Sequence, residues 1–168
     1  DVYRLNHETG KLKHVDVIRS ELESAPRHIK MTKDGKFVYI VHELKNYIDV
    51  YSYVEEDGNP FFTNIQNIPT LNDYHAGGSA ASALNSSADE KYLVSSNAGD
   101  NSVIIYRIDH KTGFLEKILC LPISGDYPKD IAIFPDGNHL ASINHGSNSI
   151  SFFQVEYKEK LLVMSGRS

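Results

Sequence analysis

Three copies of one turn-and-strand pattern occupy most of this 168-residue chain and restrict its fold more than any other feature. Each copy has an apolar strand, a tight turn with an aspartate, a returning strand, a polar break, and then a strand of β-branched or aromatic residues. The turns contain Asp34, Asp89 and Asp136, at spacings of 55 and 47 residues. Repeats of this length with four short strands per unit are typical of a β-propeller.

The repeat predicts an all-β chain of four-stranded antiparallel blades in a single partial propeller domain. Residues 1–20 would end one blade, 26–68 and 80–122 would form two blades, and 129–165 would form an incomplete blade, about three and a half in all. Propellers close with about four to eight blades, and an open arc leaves sheet edges unpaired. Because both termini fall within blades, we expect a longer protein; the alternative is self-association through the open edges.

Composition limits the partners that the chain can have. The net charge is −5 and no basic run is present, so we expect no nucleic-acid partner. The single cysteine, Cys120, lies in an apolar run, which favours a small buried side chain and a reducing, cytoplasmic compartment. No apolar run approaches about 18 residues, so we expect no membrane span. Without a helical His pair, a Cys cluster or a phosphate-binding Gly loop, we expect neither a metal nor a cofactor.

The first repeat predicts a β-hairpin whose open end carries charged and titratable side chains. Arg27 precedes the turn at Asp34 by nearly the distance at which Glu43 follows it, so the two residues should face each other. One interpretation is a cross-strand ion pair that fixes the register. The other is an arginine that binds an anion or oxyanion beside a carboxylate general base. His28 is a third catalytic candidate, or a core or rim histidine whose hydrogen bonds are satisfied within the fold.

The repeat also identifies equivalent positions in the other two units. The position of Arg27 corresponds to Ser82 and Lys129, and that of Glu43 corresponds to Ala98 and His145. Because the inner strands of a propeller line its channel, these positions should converge on one mouth. Metal-free acid/base chemistry on an anionic polyhydroxy substrate would suit such groups. The predicted substrate-binding residues are Lys129, Asp130, His145, Asn97 and His75; the alternative for each is a structural role in a strand end or loop.

Several motifs resemble those of the seven-bladed propeller lactonases, which include propeller-type 6-phosphogluconolactonases and carboxymuconate lactonising enzymes. The motifs are Pro26-Arg27-His28, Asp34-Gly35 and His42-Glu43-Leu44, in that order. Residues 95–102 and 127–130 are similar to two further family motifs. The resemblance covers nearly the whole chain, which corresponds to the C-terminal half of a family member.

The resemblance implies a hydrolase that acts on a small anionic lactone or sugar acid, such as 6-phosphogluconolactone. It assigns the family's arginine and glutamate to Arg27 and Glu43. Ala98 replaces a family arginine, Lys129 stands in for another, and a family histidine would precede Asp1. We therefore expect activity in the full-length parent and an inactive isolated chain. The alternatives are a truncated or degenerate non-catalytic scaffold, and a cycloisomerase that forms a muconolactone-type product.

Overall fold

The computed structural model describes residues 1–72 and 78–168, and every regular element in those ranges is a β-strand. No helix in the described part is long and apolar enough to cross a membrane. The strands are β1 (Val2–Leu5), β2 (Leu12–Asp16), β3 (Pro26–Met31), β4 (Phe37–His42), β5 (Tyr47–Glu56), β6 (Asn59–Pro69), β7 (Ala81–Ser86), β8 (Tyr92–Asn97), β9 (Ser102–Ile108), β10 (Leu115–Pro122), β11 (Pro128–Ile133), β12 (His139–Asn144), β13 (Ser149–Glu156) and β14 (Leu161–Arg167).

The strands form three four-stranded antiparallel sheets and one two-stranded hairpin, β1–β2. We call β3–β6 the first blade, β7–β10 the second and β11–β14 the third; within each blade, neighbours in sequence are neighbours in the sheet. This confirms the all-β partial propeller of about three and a half blades. The sequence predicts an incomplete third blade at 129–165, whereas this sheet has all four strands, because Leu161–Arg167 pairs antiparallel with β13.

Each inner hairpin is closed by the same aspartate geometry. Asp34, Asp89 and Asp136 each accept a hydrogen bond from the backbone N–H two residues further on, at 3.1, 3.1 and 2.9 Å. The hydroxyls of Thr32 and Ser87 donate to the first two aspartates, each over 2.7 Å. Such side-chain bonds stabilise a turn locally. They explain why the repeat is visible in the sequence at these positions.

The blades pack face to face through two apolar cores, and β9 supplies both. Ile104 and Tyr106 pack towards the first blade, while Val103 and Ile105 pack towards the third. Alternate side chains of a strand point to opposite faces of its sheet, so one strand can fill two cores. Burying one such side chain contributes about 1.5–3 kcal/mol. The two cores fix the order of the blades and hold their inner strands side by side.

Cys120 lies in the core between the first and second blades as a free thiol. Burial raises the pKa of its thiol above the ordinary value. A neutral, buried thiol packs as a small apolar side chain. This confirms the structural role predicted for Cys120.

Candidate active site at the blade rim

The structure brings Arg27 and Glu43 into direct contact at the open end of the first hairpin. Arg27 Nη1 donates to Glu43 Oε2 over 2.9 Å. The side chains are 30% and 25% exposed, so a ligand in solution can reach both. The predicted meeting of the two residues is confirmed. The contact is compatible with both interpretations. A structural ion pair and an arginine anion site beside a general base would place these two side chains in the same way before substrate binds.

A β-bulge places Arg27. Pro26 pairs with His42 and His28 pairs with Val41, so Arg27 is the extra residue of β3 and has no backbone partner on β4. A bulge turns the side chains next to it and is frequent beside active sites. The bulge therefore explains how an arginine within a regular hairpin is aimed at Glu43, which lies just beyond the end of β4.

The third blade repeats this local backbone around Lys129. The residues before the two prolines, Ala25 and Tyr127, both have left-handed backbone, with φ of 53° and 58°. Lys129 is again the extra residue, between the Pro128–Asn144 and Asp130–Ile143 pairs. A left-handed non-glycine residue is unfavourable and persists only where its surroundings hold it. The same backbone thus presents a cation in two of the three blades.

Strand β7 connects the two cation positions. The Ala81 N–H donates to the Glu43 carbonyl over 3.1 Å, and Ser82 Oγ donates to the Lys129 carbonyl over 3.0 Å. We call the blade ends that carry Arg27, Ser82 and Lys129 the rim. Along the rim, the first blade contributes a cation and a carboxylate, the second contributes Ser82 and buried Ala98, and the third contributes Lys129 and His145.

His28 shares a cleft with Arg27. The cleft has a volume of about 230 Å³ and includes Ile18, Ile29 and Ile40 in its walls. His28 is exposed, so its side chain is open to a ligand in solution. The cleft therefore combines a cation and a titratable ring with an apolar wall, as ligand pockets commonly do.

Lys129 and His145 line a second depression, of about 520 Å³, on the third blade. Lys129 Nζ lies 4.7 Å from the centroid of the Tyr127 ring, and the His145 ring lies 6.3 Å from it. An ammonium over an aromatic face gains about 0.5–1 kcal/mol at an exposed site. The arrangement holds one cation and one titratable ring at the rim.

The remaining predicted residues have other surroundings. Asn97 is fully buried, and its amide donates to the Thr70 carbonyl over 2.7 Å and to Ser102 Oγ over 3.0 Å, so it joins the end of the second blade to the segment that follows β6. Asp130 is exposed, and its carboxylate accepts the N–H of Ile131 over 2.8 Å. His75 lies outside the described residues.

A buried polar cluster around His42, the residue before Glu43, was not predicted from the sequence. His42 is fully buried; its Nδ1 lies 2.9 Å from Ser24 Oγ, and its Nε2 lies 3.1 Å from Asp49 Oδ2 without hydrogen-bond alignment. The ring stacks on Tyr47 at 4.3 Å. Burial lowers the pKa of His42 although Asp49 opposes the shift. The available signal was that the repeat has asparagine at this position in the other two blades.

Comparison with known proteins identifies the family. The family model for "Lactonase, 7-bladed beta-propeller" matches residues 1–168. The chain belongs to the seven-bladed β-propeller lactonases. It is 39% identical over 122 residues to an uncharacterized protein of Lactococcus lactis subsp. cremoris, which is 72% of this chain and 35% of that protein. It is 30% identical over 129 residues to an uncharacterized protein of Staphylococcus saprophyticus, which is 77% of this chain and 36% of the relative.

Solved structures share the fold over nearly the whole chain. The periplasmic gluconolactonase PpgL of Pseudomonas aeruginosa superposes with a TM-score of 0.87 at 24% identity, over 98% of this chain and 46% of the other. A candidate 6-phosphogluconolactonase of Bacteroides fragilis superposes with a TM-score of 0.80 at 26% identity, over 97% of this chain and 46% of the other. The chain thus spans under half of these structures and about a third of its curated relatives.

Proposed function

We propose that the whole protein hydrolyses a sugar-acid lactone such as 6-phosphogluconolactone, and that Arg27 and Glu43 are its catalytic residues within this chain. The main observation in support is the contact of 2.9 Å between Arg27 and Glu43 at the rim. Both side chains are partly exposed, and a β-bulge turns the arginine towards the glutamate. The family supports lactone chemistry. The names of the Pseudomonas and Bacteroides structures support a gluconolactone or its 6-phosphate as the substrate.

Lactone hydrolysis divides into steps that these groups can perform. Glu43 accepts a proton from a water molecule as the water oxygen bonds to the lactone carbonyl carbon. The carbonyl oxygen gains negative charge, and Arg27 donates N–H groups to it, because one of its five donors faces Glu43 and the others remain. The ring C–O bond then breaks. The leaving oxygen takes a proton from Glu43 or from His28, which gives the open-chain hydroxy acid.

The third blade supplies the proposed contacts to the rest of the substrate. Lys129 and His145 share one depression at the rim, and a lysine binds a phosphate or carboxylate as a point charge. Asp130 is exposed and would accept hydrogen bonds from substrate hydroxyls. The proposed ligand is therefore anionic at one end and hydroxylated along its length.

The test is lactone hydrolysis by the full-length protein with and without Arg27→Ala. Removing one oxyanion donor lowers kcat by about 10²–10³-fold, and Glu43→Gln should lower it by about 10²–10⁴-fold. The matched control is Arg107→Ala, because Arg107 contacts Glu116 at 3.5 Å in another cross-strand pair, with both side chains exposed. Unchanged hydrolysis by Arg27→Ala would contradict the role of Arg27.

A non-catalytic propeller is the second candidate function. It is favoured by the second blade, where buried Ala98 and Ser82, whose hydroxyl is already hydrogen-bonded, leave the two positions equivalent to Arg27 and Glu43 uncharged. A full-length protein that binds gluconate in calorimetry but leaves lactones intact would support it. Net formation of a lactone from an unsaturated acid would instead identify a cycloisomerase, which needs the same anion site and carboxylate.

A further inference from the structure

A buried cluster of Ser24, His42 and Asp49 lies next to the chain segments that carry Arg27 and Glu43. These residues are 0%, 0% and 6% exposed. We infer that they form a positioning network that sets the geometry of Arg27 against Glu43. The expected effect of the network on kcat rests on the proposed function, whereas its effect on the position of the Arg27 side chain does not.

The network holds both chain segments that carry the pair. His42 directly precedes Glu43, and Ser24 lies three residues before Arg27. The contact of 2.9 Å between His42 Nδ1 and Ser24 Oγ therefore joins the two segments through side chains. Backbone bonds continue the connection: the Glu43 N–H donates to the Ala25 carbonyl over 2.9 Å, and the Leu44 N–H donates to the Ser24 carbonyl over 3.1 Å.

Asp49 anchors the network in the body of the blade. Its Oδ2 lies 3.1 Å from His42 Nε2, and its Oδ1 accepts amide hydrogens from Asn64 and Asn67 over 2.9 and 3.1 Å. The cluster thus spans β4, β5 and β6 as well as the segment before β3. The cluster is hydrogen-bonded at Ser24 and to β6, and its His42 Nε2–Asp49 contact is close but not aligned as a hydrogen bond. Hydrogen bonds at both ends of the cluster restrict the movement of the segment before β3.

The segment that the network holds is strained. Glu23 and Ala25 have left-handed backbone, with φ of 62° and 53°. Ser24, between them, is tied to the Glu21 carbonyl by its N–H over 3.3 Å and by its hydroxyl over 2.7 Å. Without the anchor on Ser24, this strained segment would relax and carry Pro26 and Arg27 with it.

The other blades have different residues at the positions of His42 and Asp49. Asn97 and Asn144 occupy the position of His42, and Ile104 and Ser151 occupy that of Asp49. In the third blade, Asn144 Nδ2 donates to Ser151 Oγ over 2.9 Å, which closes the blade with two neutral groups. Within this chain, the blade with the cation–carboxylate pair is the one that has histidine and aspartate there.

The third blade therefore supplies a matched graft, His42→Asn together with Asp49→Ser, for the full-length protein. We expect the graft to fold and to lower kcat by about 10- to 100-fold while KM changes by less than about threefold, since a misplacement of about 1 Å costs up to about 10²-fold. In NMR spectra, the Arg27 guanidinium signals should move towards those of a free arginine. The control for general destabilisation is Leu140→Ala, in the core between the second and third blades, which should leave these signals in place.

Each outcome decides the inference. If the graft keeps kcat within about twofold and leaves the Arg27 signals unchanged, the network only closes the blade and the inference is overturned. If the wild-type protein hydrolyses no lactone, the proposed function fails, and the Arg27 signals alone decide whether the network positions this side chain. If the graft does not fold, Ser24→Ala removes one hydroxyl and is judged by the same two measurements.

Discussion

The catalytic role of Arg27 can be tested by substitution, because the side chain contributes little to the stability of the fold. Its ion pair with Glu43 joins side chains that are 30% and 25% exposed. Ion pairs in contact with solvent contribute about 0–1 kcal/mol, because screening and side-chain ordering offset the attraction. Arg27→Ala should therefore fold normally, and a loss of activity in this variant would report the chemistry at the rim and not the fold.

The turn aspartates give the protein a defined sensitivity to acid. The pKa of Asp34 falls to about 2, chiefly through hydrogen bonds from Thr32 and Lys36, and that of Asp89 falls to about 2, chiefly through Lys91 and Ser87. A carboxyl group whose pKa is lower in the folded state stabilises the fold above its unfolded pKa, near 3.8. This stabilisation is lost as the pH falls from about 4 to about 2.

The double variant Asp34→Asn, Asp89→Asn tests this sensitivity, because asparagine keeps a turn-forming side-chain oxygen and does not titrate. Urea unfolding should show the wild-type protein more stable than the variant at pH 6. The two should converge as the pH approaches 2, since both aspartates are then about half protonated in the folded protein and most of their stabilisation is lost. A difference between the proteins that stays constant from pH 6 to pH 2 would show that these carboxyl groups do not carry the acid sensitivity.

The sequence predicted that Arg27 and Glu43 meet at the end of the first hairpin, because counting outward from the turn needs only the position of the turn. It did not predict the bulge at Arg27, since an extra residue changes the register without changing the pattern of residue types. It did not predict the contact of His42 with Ser24, 18 residues away, which depends on how the chain enters the blade. The sequence predicted an incomplete third blade because Ser165 and Gly166 interrupt the apolar pattern of its last strand, Leu161–Arg167.

At the scale of elements, the β9–β10 turn of the second blade docks on β4 of the first. The Tyr39 hydroxyl donates to the Gly113 carbonyl over 3.1 Å. Gly113 has a φ of +77°, and a Cβ there would lie 2.3 Å from Cδ1 of Phe37. The turn therefore needs glycine both for its backbone and for the close approach of the neighbouring blade.

Gly113→Ala and Gly35→Ala separate these two requirements. Gly35 also has a left-handed φ, +73°, but a Cβ there would contact nothing within 4 Å. Gly35→Ala should cost about 1–2 kcal/mol for the backbone alone, and Gly113→Ala should cost a further 1–3 kcal/mol or so from overpacking against Phe37. Urea unfolding measures both. Equal losses in the free energy of unfolding would mean that the two blades can move apart at this contact without cost.

At the scale of the whole chain, the second blade is covered on both faces. Strands β8 and β9 are buried along almost their whole length, whereas most residues of β14 and of the β1–β2 hairpin are exposed. Opening the second blade must expose both apolar cores, while β14 can separate from β13 without exposing either completely. The free energy of local opening should therefore be highest in the middle of the chain.

Hydrogen exchange of the purified 168-residue chain tests this distribution. We expect the amides of β8 and β9 to exchange at least about tenfold more slowly than those of β14, which corresponds to about 1.4 kcal/mol of opening free energy. Sedimentation velocity on the same sample is the control, because self-association through an open sheet edge would protect β14 as well. A monomer in which β14 exchanges as slowly as β9 would show that stability does not depend on covering both faces. A dimer with slow exchange in β14 would instead support pairing of chains at that edge, where β14 forms hydrogen bonds with β13 on one side only among the described strands.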